Sequence, residues 1–213
     1  MERVTFLIDG FNLYHSVRSA SVKLGLKAGT KWLDIPALCR SYLHLFGRDA
    51  VMHEIHWFSA FAKHLEATKP DVTARHAAYA RCLEDAGVLV ELSRFKKKRM
   101  RCDKCGANLT RHEEKETDVA VAAKLLEICF TDAADRIVLV TGDTDVAPAV
   151  RTAKRLFPHK QVGFAFPFDR KNDELAQLGG TSFVMSKEAY VRHQFADPYV
   201  TRDGTAIPKP AKW

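Results

Sequence analysis

Strand-like runs alternate with helical patterns along almost the whole chain, and that alternation leaves few architectures open. Runs rich in apolar or β-branched residues stand at Val4–Ile8, Glu54–Ser59, Val88–Ser93, Arg136–Thr141, Gln161–Ala165 and Ser182–Met185. Between them, apolar residues recur at helical spacing over Leu33–Leu45, Asp71–Ala86, Asp118–Phe130, Thr144–Leu156, Asn172–Leu178 and Lys187–Phe195. Pro36 suits a first helical turn and Gly87 a helix end. Parallel strands cannot be joined by tight turns and need a crossover, which a helix supplies. The pattern therefore predicts an α/β fold, a mainly parallel sheet of about five or six strands with helices on both faces.

Two segments interrupt the alternation. Residues 94–113 are polar and basic and contain Cys102-Asp103-Lys104-Cys105-Gly106, which predicts an insertion projecting from the sheet. Residues 196–213 hold Pro198, Gly204, Pro208 and Pro210 and read as a C-terminal surface tail. One domain over 1–195 with that insertion and tail accounts for 213 residues. Hydrophobic residues make up 46% and charged ones 28%, enough apolar material to exclude disorder. The segment before Val4 shows no secretory pattern and no apolar run approaches bilayer length, so the expectation is a soluble cytoplasmic protein without a membrane partner.

Three acidic segments fall where such a sheet would gather them. They are Asp9-Gly10-Phe11-Asn12 after the first strand, Glu114-Lys115-Glu116-Thr117-Asp118 opening a helix, and Thr141-Gly142-Asp143-Thr144-Asp145 after another strand. Open α/β sheets bind ligands beyond the carboxyl ends of their strands. Each segment also has a plainer reading. Asp9 or Asn12 can cap a helix, and Asp145 can cap one beginning near Val146, which would leave Asp143 without a capping role. Glu114 and Asp118 would share a face if their helix starts before Glu114, or they serve its macrodipole. What weakens the plain readings is convergence. Carboxylates gathered at one sheet edge repel unless a cation neutralises them, and oxygen donors of this kind suit Mg²⁺ or Mn²⁺.

Taken in order, these motifs resemble the NYN family of PIN-like nucleases, LabA-like branch, over roughly residues 3 to 186, and the tail Asp203-Gly204-Thr205…Pro210…Trp213 resembles one found in that branch. The resemblance implies a Rossmann-like sheet and metal-dependent cleavage of RNA. It carries over to Asp9, Asn12, Asp118, Asp143 and Asp145, with Glu114 and Lys115 as neighbours. Many members follow the last motif with an aromatic residue, where this chain has Val146. The expected mechanism places Mg²⁺ or Mn²⁺ on Asp9, Asp118, Asp143 and Asp145, orienting a water for in-line attack on a phosphodiester. Asn12 would hold a metal-bound water or a phosphate oxygen, and Lys115 a substrate phosphate or Glu114.

Lys and Arg outnumber Asp and Glu by 33 to 26, a net charge of +7, which matters because six of the basic residues lie between Arg94 and Arg101. Lys96, Lys97, Lys98, Arg99 and Arg101 read as an arm that contacts RNA phosphates, or as a solvated hairpin. Cys102 and Cys105 have the spacing of half a structural zinc site. His112, Cys129, His53 and His56 are candidates to complete it, as is a second copy in a homodimer. Cys39, Cys82 and Cys129 fall on apolar helical faces and read as core; Tyr14, Trp57 and Phe58 read as core or as base-stacking platforms.

The leading function is thus a metal-dependent ribonuclease acting on single-stranded RNA, as an endonuclease rather than an exonuclease. A catalytically silent RNA-binding module of the same fold is the alternative. A small-ester phosphohydrolase is disfavoured, because Gly10-Phe11 follows Asp9 where an Asp-x-Asp motif would stand.

Overall fold

The computed structural model describes the chain apart from Lys27, Ala28, Cys102 and Lys104, and apart from the side chains of Leu109, Arg111, Glu113 and Glu114. Strand β1 (Glu2–Asp9) is followed by helices α1 (Gly10–Lys23) and α2 (Ile35–Ser41), then by β2 (Ala50–Ala60), α3 (Val72–Asp85) and β3 (Leu89–Arg101). Strand β4 (Asn108–Lys115) leads into α4 (Thr117–Phe130), β5 (Arg136–Val140), α5 (Ala147–Leu156), β6 (Gln161–Phe166), α6 (Asp173–Leu178), β7 (Ser182–Val184) and α7 (Lys187–Arg192).

The strands form one seven-stranded sheet in the order β4-β3-β2-β1-β5-β6-β7. All neighbours pair parallel except β3 and β4, which are antiparallel. The six parallel strands match the expected architecture. From β1 the chain winds outward through β2 and β3, then returns to place β5 on the other side of β1. The order reverses there, and the crevice between the carboxyl ends of β1 and β5 is where an open sheet receives ligands.

Alternation along the strands feeds two cores. Val4, Phe6 and Ile8 of β1 pack with Leu13 and Val17 of α1, Leu38 of α2, Leu83 of α3 and Tyr190 of α7. Leu7 points the other way, with Leu139 of β5, to meet Leu125 of α4, Val150 of α5 and Leu175 of α6. Both faces are covered, which is why β1 and β5 read as unbroken apolar runs.

Three expectations change. The strand expected to end at Ser93 runs on to Arg101, so the 94–113 segment is a ribbon: β3 continues through the basic stretch and pairs with β4, from Arg94 opposite Lys115 to Arg101 opposite Asn108. A two-stranded ribbon open to solvent on both sides needs no apolar alternation, so composition hides it. The 33–45 helix is shorter. Asp34 caps it by accepting the Ala37 N–H at 2.8 Å, it ends at Ser41, and a 3₁₀ turn over Leu43–Phe46 follows. The tail folds back as a small hairpin, β8 (Tyr199–Val200) with β9 (Ala206–Ile207). It buries Ile207 in the first core and sets the Trp213 ring 5.4 Å from that of Tyr79.

Candidate active site

Asp9 is the last residue of β1, and Gly10 starts α1 at once. A Cβ on Gly10 would lie 2.5 Å from the Phe58 carbonyl oxygen and 2.8 Å from Trp57 Nε1, so the helix can begin this close to β2 only from glycine. Asp9 is indeed a helix cap: its Oδ1 accepts the N–H groups of Phe11 at 3.0 Å and Asn12 at 2.9 Å. Capping does not exhaust it. Its Oδ2 reaches across the crevice to accept the Thr141 hydroxyl at 3.0 Å.

Asp9 is only 7% exposed. Burial pushes its pKa up, opposed by hydrogen bonds from the Asn12 N–H, the Thr141 hydroxyl and the Phe11 N–H, while the charge of Asp143 pushes it further up. A carboxylate in such a place is stabilised by a cation.

Thr141, the first residue after β5, links the two acidic turns. Besides donating to Asp9, its hydroxyl oxygen accepts the Asp143 N–H at 3.1 Å. Asn12 Oδ1 adds a second stitch by accepting the Gly142 N–H at 3.2 Å. Gly142 has no room for a side chain, because a Cβ would come within 2.0 Å of the Arg170 carbonyl oxygen. Asp143 has extended backbone, so its Oδ1 bends forward to accept the Asp145 N–H at 3.1 Å and caps a 3₁₀ turn over Thr144–Val146. The expectation that Asp143 has no capping role is therefore corrected: Asp143 is the cap, and Asp145 is an exposed residue within the turn.

The third segment also needs correction. Strand β4 runs to Lys115, Glu116 adopts a left-handed conformation (φ 83°), and α4 begins only at Thr117. Glu114 is thus on a strand and does not share a face of α4 with Asp118; its side chain lies outside the described residues. Asp118 is half-buried in the first turn of α4, a helix that packs against β1, β2 and the 144–146 turn. Lys115 is exposed at the end of β4.

Thr141 has no assigned role in the sequence reading, although a polar residue closing the apolar run Ile137–Val140 was a usable signal. Thr141→Val keeps the shape but strands Asp9 Oδ2 and the Asp143 N–H. Since such positioning partners are typically worth about 10- to 100-fold, cleavage should fall by that order, with about 1–3 kcal/mol of stability lost. Thr141→Ser, which retains the hydroxyl, should recover most of the rate; a fully active valine variant would contradict the link.

Among the described residues no three His, Cys, Asp or Glu side chains stand close enough together to hold a metal ion. The donor chemistry nonetheless fits a hard divalent cation: every candidate is a carboxylate, and Asp9 is buried beside a like charge. Of the cysteine pair, Cys102 lies outside the described residues and Cys105 is an exposed free thiol. Cys39, Cys82 and Cys129 are buried. His56, also buried, bonds Glu54 at 2.9 Å, and His112 stacks on His64 at 4.3 Å. Trp57 and Phe58 are core residues, whereas Tyr14 is 40% exposed.

Fold and site together define an α/β domain with an acidic crevice where its strand order reverses. The NYN domain model matches residues 3–178, and the chain belongs to that family, whose domains are nuclease-like. No curated protein matches. Among solved structures, a protein of unknown function from Vibrio parahaemolyticus is similar over 87% of this chain and 93% of its own, at 16% identity and a TM-score of 0.53, a likeness of fold alone. A deacetylase solved with teicoplanin is more distant, at 12% identity over 75% of this chain and 68% of its own, with a TM-score of 0.34, and carries no argument. Among the described residues no helix is long and apolar enough to cross a membrane.

Proposed function

We propose that this protein is a metal-dependent ribonuclease of the LabA-like branch that cuts single-stranded RNA internally, in the cytoplasm. The observation that carries the reading is the buried Asp9, joined through Thr141 to Asp143 in the crevice of an NYN domain. Asp9, Asp118 and Asp143, with Asp145 beside them, would hold Mg²⁺ or Mn²⁺, which when bound supplies an activated water and neutralises charge on the phosphate. The chain's own residues do the rest. The Thr141 hydroxyl and the two capping N–H groups fix the orientation of the Asp9 carboxylate. Asn12, with its oxygen engaged by Gly142, turns its amide N–H groups toward a phosphate oxygen, and Lys115 offers a second phosphate contact.

The competing reading is a catalytically silent RNA-binding module, favoured by the lack of a ready three-residue cluster among the described residues. Incubating end-labelled RNA, and DNA of the same sequence, with Mn²⁺ or with chelator separates the two. The ribonuclease gives internal fragments from RNA that disappear with chelator, whereas binding without any fragments would establish the silent module.

The basic hairpin presents two rows. Phe95 sets its ring 5.6 Å from Phe11 and 4.6 Å from His64, and strand alternation puts Lys97, Arg99 and Arg101 on that same side. Arg94 and Lys96 turn the other way, to Glu116 at 3.0 and 3.5 Å. RNA tracking toward Asp9 meets the row of Lys97 and Arg99. Replacing both with glutamine should flatten the slope of log affinity against log salt by about 1.4, the loss of two single-strand phosphate contacts. Replacing Lys96 and Lys98 should change it less; equal losses from both pairs would refute the two-row arrangement.

Structural zinc on Cys102 and Cys105 belongs to the same proposal, with a homodimer if a second copy completes the site. Elemental analysis of protein purified without chelator should find one zinc per chain, or one per pair of chains if the site is shared, and zinc-free protein would dismiss it.

A further inference from the structure

Beside Asp9, on the face of the sheet covered by α1 and α3, lies a cavity of about 530 Å³ that the acidic chemistry does not use. Gly10 and Phe11, the two residues that follow Asp9, line it, so cavity and crevice are neighbours. The volume lies within the roughly 300–1,000 Å³ typical of small-ligand sites. Its walls combine two chemistries.

One is aromatic. Trp57 and Tyr79 meet edge to face at 5.8 Å, Trp213 closes over Tyr79, and Tyr14 and Phe95 stand with them around the cavity. Trp57 and Tyr79 are buried and form the floor, while Tyr14, 40% exposed, and the half-buried Phe95 offer ring surface on which a base stacks whatever its identity. His76 joins them with its Nε2 3.3 Å from the Ser59 hydroxyl; burial brings its pKa down to about 4, so it faces the cavity as a neutral ring at pH 7.

The other is cationic. Arg18, Lys31, Lys69 and Arg75 all line the cavity, and among the described residues no Asp or Glu does. Arg75 pairs with Asp71 outside it, and Lys212 takes the same carboxylate at 3.1 Å. The ammonium of Lys31 is held below its ordinary pKa by burial and then by the charges of Arg18, Arg75 and Lys69. Arg75 Nε and His64 Nδ1 are buried without a hydrogen-bond partner among the described residues. Crowded cations and an unused guanidinium N–H mark a place that wants an anion.

We propose that this cavity is a nucleotide subsite, taking the base of the nucleotide next to the scissile phosphate between its aromatic walls and a flanking phosphate on Arg18, Lys31, Lys69 and Arg75. The assignment rests on the ribonuclease reading and narrows the substrate. A base can enter only when unstacked and unpaired, so cleavage falls beside unpaired nucleotides and duplex RNA is spared.

The test uses the Asp143→Asn protein without metal, so that cleavage plays no part. Ribonucleoside monophosphates, the parent nucleosides and inorganic phosphate are titrated separately and followed by NMR. The monophosphates should bind more tightly than either half alone, and a short single-stranded RNA should displace them. Lys31→Gln with Lys69→Gln should weaken monophosphate binding at least tenfold, yet leave the melting temperature unchanged or higher, because it relieves repulsion in the empty cavity. Three results would each overturn the subsite: no monophosphate binding up to about 10 mM, affinity untouched by the double variant, or RNA failing to displace the nucleotide. The last would assign the cavity to free nucleotides instead. Binding and displacement as expected, with no cleavage by the unmutated protein, would uphold the subsite and remove the nuclease reading.

Discussion

Asp143→Asn is expected to lower the rate of RNA cleavage by roughly 100-fold or more, since even partners behind a metal ligand are worth about 10- to 100-fold. The fold should survive. Asn caps as well as Asp, and its side-chain oxygen can still accept the Asp145 N–H that now anchors the 3₁₀ turn. Losing the charge also removes the repulsion that Asp143 exerts on Asp9, so the variant should melt no lower than the parent. Metal gives an independent readout. Mn²⁺ at about 100 times its Kd should stabilise the parent by about 2.7 kcal/mol, a rise of about 5–10 °C in Tm for a chain of this size, and the variant by much less. An active Asp143→Asn protein, or one with an undiminished Mn²⁺ shift, would remove Asp143 from the site.

Asp9→Asn carries an effect as large on rate and a distinctive one on stability. The contacts can be kept with one reversed: the amide oxygen accepts from Phe11 and Asn12, while the amide N–H donates to the second lone pair of the Thr141 oxygen, whose own O–H must turn to another acceptor. What is lost is a buried charge. Because folding raises the pKa of Asp9, the native state holds this proton more tightly than the unfolded chain. Its ionisation therefore costs stability progressively from the ordinary carboxylate value, about 3.9, up through the folded pKa. The asparagine variant should melt above the parent at neutral pH in metal-free buffer, and the gap should close as pH falls through that window. Cleavage by the parent should in turn rise with pH as Asp9 ionises. A variant that melts lower at pH 7 would show that Asp9 is structural and already compensated.

Much of this was legible in the chain because a parallel sheet covered on both faces needs continuous apolar strands, and β1 and β5 have them. The residues closing those strands, Asp9 and the Thr141–Asp145 turn, stand out against that background. The hairpin was legible only as one of two readings of the basic stretch. Lys96–Arg101 carries no apolar alternation, since a ribbon exposed on both sides has no core to face. The helix read over Asp118–Phe130 starts within one residue, at Thr117, but the strand leading into it was not legible: Glu114 to Asp118 is uniformly polar, and only the left-handed turn at Glu116 marks where strand gives way to helix. Asp143 and Asp145 exchanged roles because either could reach a free N–H, a choice settled by backbone angles that composition does not encode. The cavity is the least legible feature. Arg18, Lys31, Lys69 and Arg75 are scattered over 58 positions of sequence, and only the packing of α1 and α3 above β1 and β2 brings them to one wall.

The central claim is that the aspartates of the crevice cut RNA internally with a divalent metal, and a circular single-stranded RNA tests it most directly because it has no ends to trim. The parent protein with Mn²⁺ should open the circle to a linear product. Chelator, or Asp143→Asn at the same protein concentration, should leave it closed. A circle that stays closed with the parent and Mn²⁺, or that opens equally with Asp143→Asn, would contradict the account.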